Sequence, residues 1–105
     1  MGYDVHITRA DSWTESHERP IADAEWTTVI ASDPELRPSE YNERNRFVAA
    51  FWTGYPGSGG GSDCFVLDDG KITETNPDET VLRKMVEIAR KLDARVQGDD
   101  GEEYT

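Results

Sequence analysis

The sequence predicts an α+β domain: about five strands in an antiparallel or mixed sheet, with two helices on one face, in the order β-α-β-β-β-α-β. Three observations predict it. Short stretches alternate apolar and polar residues with the period of a strand. One stretch near the C-terminus repeats its apolar residues with the period of a helix. Asp69-Gly70, a dipeptide suited to the positive φ angles of a tight turn, stands between two strand-like runs. No repeat, coiled coil or second domain breaks the 105 residues, which read as a single domain ending in an acidic tail at about 98–105.

Tyr3, Val5 and Ile7 alternate with Asp4, His6 and Thr8, so the first strand is half-buried and His6 faces away from Val5 and Ile7. A polar connection from Arg9 to Pro20 follows and carries an isolated Trp13. The first helix starts near Ala22, with Glu25 in the capping-box position and Ile21 and Trp26 spaced as a hydrophobic staple. Trp26, Val29 and Ile30 form its narrow apolar stripe, and Asp33-Pro34 ends it, because a residue before proline avoids the α region. Residues 34–45 read as a polar loop. Phe47 to Thr53 reads as a central strand, and Gly54 to Ser62, with five glycines in nine residues, as a flexible connection. Cys64 to Leu67 and Lys71 to Thr75 flank the Asp69-Gly70 turn and pair antiparallel.

The second helix carries the clearest pattern. Asn76 caps it, Pro77 opens its first turn and Glu79 answers the cap. Val81, Leu82, Met85, Ile88, Ala89 and Leu92 form a broad apolar stripe. Glu79 with Arg83 and Glu87 with Lys91 are spaced as outward ion pairs. A last strand, Ala94 to Gln97, precedes the tail.

Charge limits the partners. The chain holds 22 Asp and Glu against 11 Lys and Arg, a net −11, and this repels nucleic acid and anionic lipid. Residues 77–92 carry one positive charge in excess, so the remainder carries −12, concentrated in turns and ends. Asp68 and Asp69 in the turn, and Asp99 and Asp100 in the tail, form one acidic patch if the last strand lies beside the hairpin. A single Cys64 excludes an internal disulfide and suits a reducing compartment. No basic segment leading into a long apolar run opens the chain, and Phe47 to Trp52 is too short to span a bilayer, so the expected location is the cytoplasm.

No motif names a reaction. The glycine run lacks the lysine and the following helix of a phosphate loop. Asp99 to Glu103 is rich in oxygen ligands for a metal ion but lacks the ligand spacing of a calcium loop. Cys64 with His6 or His17 has no local sequence support as a nucleophile pair, and a lone cysteine in a strand is ordinarily a small core residue. Trp52 and Tyr55 border the glycine run, where an aromatic either covers the core or anchors a partner.

Tyr3-Asp-Val-His-Ile-Thr-Arg-Ala10 with Trp13, Ile21 to Trp26 and Ser32-Asp-Pro-Glu-Leu36 resembles a group of small uncharacterised bacterial proteins. Asn76-Pro-Asp-Glu79, Leu82-Arg-Lys-Met85, Ala94-Arg-Val-Gln-Gly-Asp-Asp-Gly-Glu102 and Tyr104 resemble the same group; Glu40 to Ser62 departs from it. The resemblance implies a bacterial cytoplasmic setting and brings no catalytic residues with it.

The sequence therefore points to a non-enzymatic acidic protein without cofactor or metal. Its expected role is to bind a basic protein, as an immunity protein binds a toxin, with no direct nucleic-acid or membrane contact. The expected contacts are Trp52, Tyr55, Asp63, Asp68, Asp69, Asp99 and Asp100. Two alternatives stay open: a small regulatory or adaptor module binding through an apolar surface, and a metal-dependent enzyme using the acidic turn and tail.

Overall fold

The computed structural model describes residues 3–38, 48–53 and 64–104. Phe47, the glycine run from Gly54 to Ser62 and most of the 34–45 loop lie outside them. The chain runs β1 (Asp4–Thr8), a 3-10 turn (Trp13–Glu15), α1 (Asp23–Ser32), β2 (Leu36–Pro38), β3 (Val48–Trp52), β4 (Cys64–Asp68), β5 (Lys71–Thr75), α2 (Glu79–Lys91), β6 (Arg95–Gly98) and β7 (Glu103–Tyr104). The class is the expected α+β.

The sheet is larger than about five strands. Among the described residues it has seven, in the order β2-β3-β4-β5-β1-β6-β7, with every neighbouring pair antiparallel. The two additions are its edges. β2 falls in the segment read as a loop and contains Pro38, and β7 falls in the segment read as a tail. An edge strand bonds on one side only and tolerates proline and charge, so strands this short leave no periodicity to read.

Register places the apolar residues on one face. Ile7 lies between Ile72 and Val96, Leu67 opposite Ile72, Phe65 opposite Ala50, and Leu36 opposite Trp52. Trp26, Val29 and Ile30 of α1 and Val81, Met85, Ile88 and Ala89 of α2 join these in one cluster, so both helices cover this face. Among the described residues no helix is long and apolar enough to cross a membrane.

The helix ends differ in detail from the sequence reading. α1 has the staple residues Ile21 and Trp26 buried, and the Glu25 carboxylate accepts the Ala22 N–H at 3.3 Å, which is half of a capping box. α2 is capped by Asp78, not Asn76: the Asp78 carboxylate accepts the Val81 N–H at 2.8 Å. Asn76 instead exchanges hydrogen bonds with the Tyr3 backbone, at 2.9 Å and 2.8 Å, extending the β1–β5 pairing by one residue. At its far end, Asp93 takes a left-handed φ of 53° while the Ala94 N–H reaches the Ala89 carbonyl at 2.8 Å. This is a Schellman closure without glycine. Arg9 then binds the Leu92 carbonyl and the Glu25 carboxylate, tying the end of α2 to the start of α1.

The β4–β5 turn forms as read, with Asp69 at φ 54° and Gly70 at φ 79°. Gly70 is also crowded: a Cβ there would lie 2.8 Å from the Pro20 Cβ and 2.9 Å from the Ser16 carbonyl oxygen. Gly70→Ala therefore meets both backbone strain and a clash, and it should lower unfolding free energy by more than about 1 kcal/mol in urea titration.

Candidate functional site

Two polar clusters are built into the fold, one on each side of the sheet. The first lies opposite the helices. There the 9–20 connection closes over β1, β5 and β6, so His6 is only 2% exposed and Thr8, Ser16 and Gln97 are buried as well. His6 is therefore no surface histidine. Its ring stacks on Trp13, with centroids 4.2 Å apart and planes 15° from parallel.

The hydrogen bonds assign the imidazole tautomer. Asp99 is held ionised, below the usual carboxylate range, by the Asp4 backbone N–H and then by the His6 ring. An ionised carboxylate only accepts, so His6 Nε2–H donates to Asp99 Oδ1 at 3.0 Å. In the neutral ring, Nδ1 then accepts from the Thr73 hydroxyl at 2.8 Å. The Trp13 indole N–H donates to the Asp99 carbonyl at 3.2 Å, and the Gln97 carbonyl oxygen accepts the Trp13 backbone N–H at 2.6 Å. Both ring nitrogens of His6 are thus committed, and the Ser16 hydroxyl bonds Thr8 and the Trp13 carbonyl. The cluster locks the connection and the β6–β7 turn to β1.

The second cluster lies where α1, β2, β3 and α2 meet. Lys84 and Asp33 are each 5% exposed. The ammonium donates to Asp33 at 2.7 Å, Glu87 at 2.6 Å and Glu35 at 3.2 Å, and lies 5.8 Å from the centre of the Trp52 ring. Lys91 also reaches Asp33, at 3.3 Å, so the expected Glu87–Lys91 pair gives way to Lys84–Glu87, while Glu79–Arg83 forms at 2.8 Å. Burial favours neutral Lys84, but its three carboxylates outweigh that and raise its pKa. Burial likewise pushes Asp33 up, and Lys84, the Glu35 N–H and Lys91 together bring it below the usual range. The Trp52 indole N–H and Lys84 lower Glu35.

The expected contact residues are scattered. Trp52 is 6% exposed, its indole N–H bonded to Glu35 at 3.1 Å, so it belongs to the core rather than to a docking surface. Tyr55 and Asp63 lie outside the described residues, as does the side chain of Cys64. Asp68 and Asp69 are exposed, with Asp69 3.6 Å from Lys71. The two acidic pairs do not merge. β1 separates β5 from β6, and Asp99 bonds the N-terminal end of β1 at Asp4, whereas the register carries the 68–69 turn to its other end. The gap along the strand alone is roughly 13 Å. Asp4, Asp99, Asp100 and Glu102 gather around the β6–β7 turn, near Asp11, whose carbonyl accepts from Gln97. Among the described residues no three His, Cys, Asp or Glu side chains group to hold a metal ion.

Comparison of the chain with protein-family models, curated proteins and solved structures found no match.

Two predictions test the clusters. Lys84→Met leaves the buried Asp33 carboxylate without its closest cation and should cost about 3 kcal/mol of stability. Adding Asp33→Asn should recover at least about 1 kcal/mol of that in a double-mutant cycle. Asp99 has a lowered pKa in the folded state, so its stabilisation is present above the ordinary carboxylate range and lost on acidification. Melting temperature followed from roughly pH 5 to pH 3 should fall more steeply for the native chain than for Asp99→Asn.

Proposed function

We propose that this chain is a non-enzymatic acidic protein that binds and neutralises a basic protein in the cytoplasm, as an immunity protein does a bacterial toxin. One observation carries the reading. The fold pairs six of its described cations within itself: Arg9, Lys71, Arg83, Lys84, Lys91 and Arg95 each meet a carboxylate, while Arg19, Arg37 and Arg90 have no ion pair among the described residues. Asp4, Glu15, Glu18, Asp23, Asp68, Asp100 and Glu102 have no ion pair among the described residues. The negative excess is thus left at the surface, where complementary charge raises association rates and rejects wrong partners.

The docking surface in this proposal is the β6–β7 turn and its surroundings: Asp100 and Glu102, together with Asp11, whose exposed carboxylate lies 3.6 Å from Arg95, with Asp4 and Asp99 behind them. Asp99 is bonded to β1 and Trp13 to the turn, so these carboxylates sit on a rigid base that loses little freedom on binding. Tyr55 and Asp63 remain proposed contacts on the sequence alone. Asp68 and Asp69, at the other end of β1, would belong to a separate contact.

A second reading has one supporting observation. Phe51 is 36% exposed on the sheet face away from the helices, with half-buried Val66 nearby through the β3–β4 pairing. An adaptor module would use such a surface and respond little to salt.

The discriminating experiment captures partners from a bacterial lysate at low ionic strength and then measures association of the purified complex across a salt series. With a basic partner, Asp11→Asn/Asp100→Asn/Glu102→Gln should slow association about tenfold at low salt and flatten the salt dependence. Asp68→Asn/Asp69→Asn should change it little. A rate unaltered by the triple variant refutes this placement, and binding insensitive to salt favours the adaptor.

A further inference from the structure

The outer side of α2 and the free edge of the sheet form a surface that matches itself. Leu82 and Val86, both half-buried, and Tyr104 on β7 line an open groove of about 440 Å³, with Glu79, Arg83 and Arg90 at its rim. β7 is the last strand of the sheet and nothing among the described residues pairs with its outer side. Gly98 N–H bonds the Glu102 carbonyl at 2.9 Å, and Val96 stands opposite Tyr104. The alternation of an antiparallel ladder then turns the Glu103 N–H and C=O outward. The β7 edge thus offers one unused donor and acceptor directly beside an apolar groove.

The charge pattern on α2 selects the occupant. Positions 79, 83, 86 and 90 lie symmetrically about one point on the helix, with an acid at one end and a base at the other. Two such helices related by a twofold axis perpendicular to the sheet run antiparallel, and each Glu79 then faces Arg90 of the second copy. Val86 likewise meets the aliphatic stem of Arg83 of the second copy, closing the apolar strip over Leu82 and Tyr104. The same axis sets the two β7 strands antiparallel, as edge pairing requires. Arg95 holds the Glu103 carboxylate at 3.0 Å, which offsets the repulsion between the two Glu103 side chains across the new pair.

We propose that the chain forms a symmetric homodimer through β7 and the Glu79–Arg90 face of α2, joining two sheets edge to edge. This goes beyond the docking surface proposed above. The two surfaces are tested separately, since none of the variants that follow touches Asp11, Asp100 or Glu102.

The test is sedimentation equilibrium of the full chain at about 0.15 M salt, where the Debye length of about 8 Å screens the repulsion between two acidic copies. The expected result is a concentration-dependent dimer below about 200 μM. Glu79→Arg and Arg90→Glu should each weaken it about tenfold or more, and the double swap should restore it to within about threefold of the native chain. Val86→Asp, placed on the axis-proximal strip, should abolish it. Circular dichroism melting of each variant separates lost association from lost folding. A native chain that stays monomeric throughout overturns the proposal. So does a double swap as weak as either single variant.

Discussion

β1 is buried on both faces, and the remaining architecture follows from covering it. Val5 and Ile7 point into the apolar core beneath the helices, while His6 and Thr8 point to the other side and are just as inaccessible. An antiparallel sheet can leave one face to water when that face is polar. Here the polar face of the central strands is closed by the 9–20 connection, and every buried polar atom must then find a partner. His6, Thr8, Ser16 and Gln97 do so among themselves and with Trp13, Thr73 and Asp99. A polar second core replaces the second helical layer that a larger protein would use.

On the helix side the constraint is electrostatic. A buried ammonium is costly unless it is compensated, and Lys84 is compensated by three carboxylates drawn from α1's end, β2's approach and α2 itself. The arrangement has opposed pH limits. Asp33 and Glu35, lowered, contribute above the ordinary carboxylate range and lose that contribution as pH falls. Lys84, raised, contributes below the ordinary lysine range and loses it as pH rises through its higher value. The network is strongest across neutral pH, where it ties the end of α1 and the approach to β2 to α2.

The Lys84 network also shapes the electrostatic surface: it draws Lys84 and Lys91 to carboxylates, in a chain whose Asp and Glu outnumber its Lys and Arg by 22 to 11. The outer face of α2 differs from this background because Arg83 and Arg90 stand there beside apolar residues. The acidic β6–β7 turn and this outer face of α2 adjoin at β7, where the Tyr104 hydroxyl donates to the Glu102 carboxylate at 3.3 Å.

Periodicity determined the α+β class, the helix stripes, the β4–β5 turn and the placement of His6 opposite Val5 and Ile7. These follow from spacing along the chain, which local sequence carries in full. Tertiary structure decided what depends on distant partners. β2 and β7 exist because neighbouring strands offer them hydrogen bonds. Asp78 caps α2 because Asn76 is taken by Tyr3. Lys84 is buried because residues some 50 positions earlier supply its counter-charges. Trp52 lies in the core and the two acidic turns lie at opposite ends of β1 for the same reason. Strand order and long-range pairing set them, and neither is written in the residues beside them.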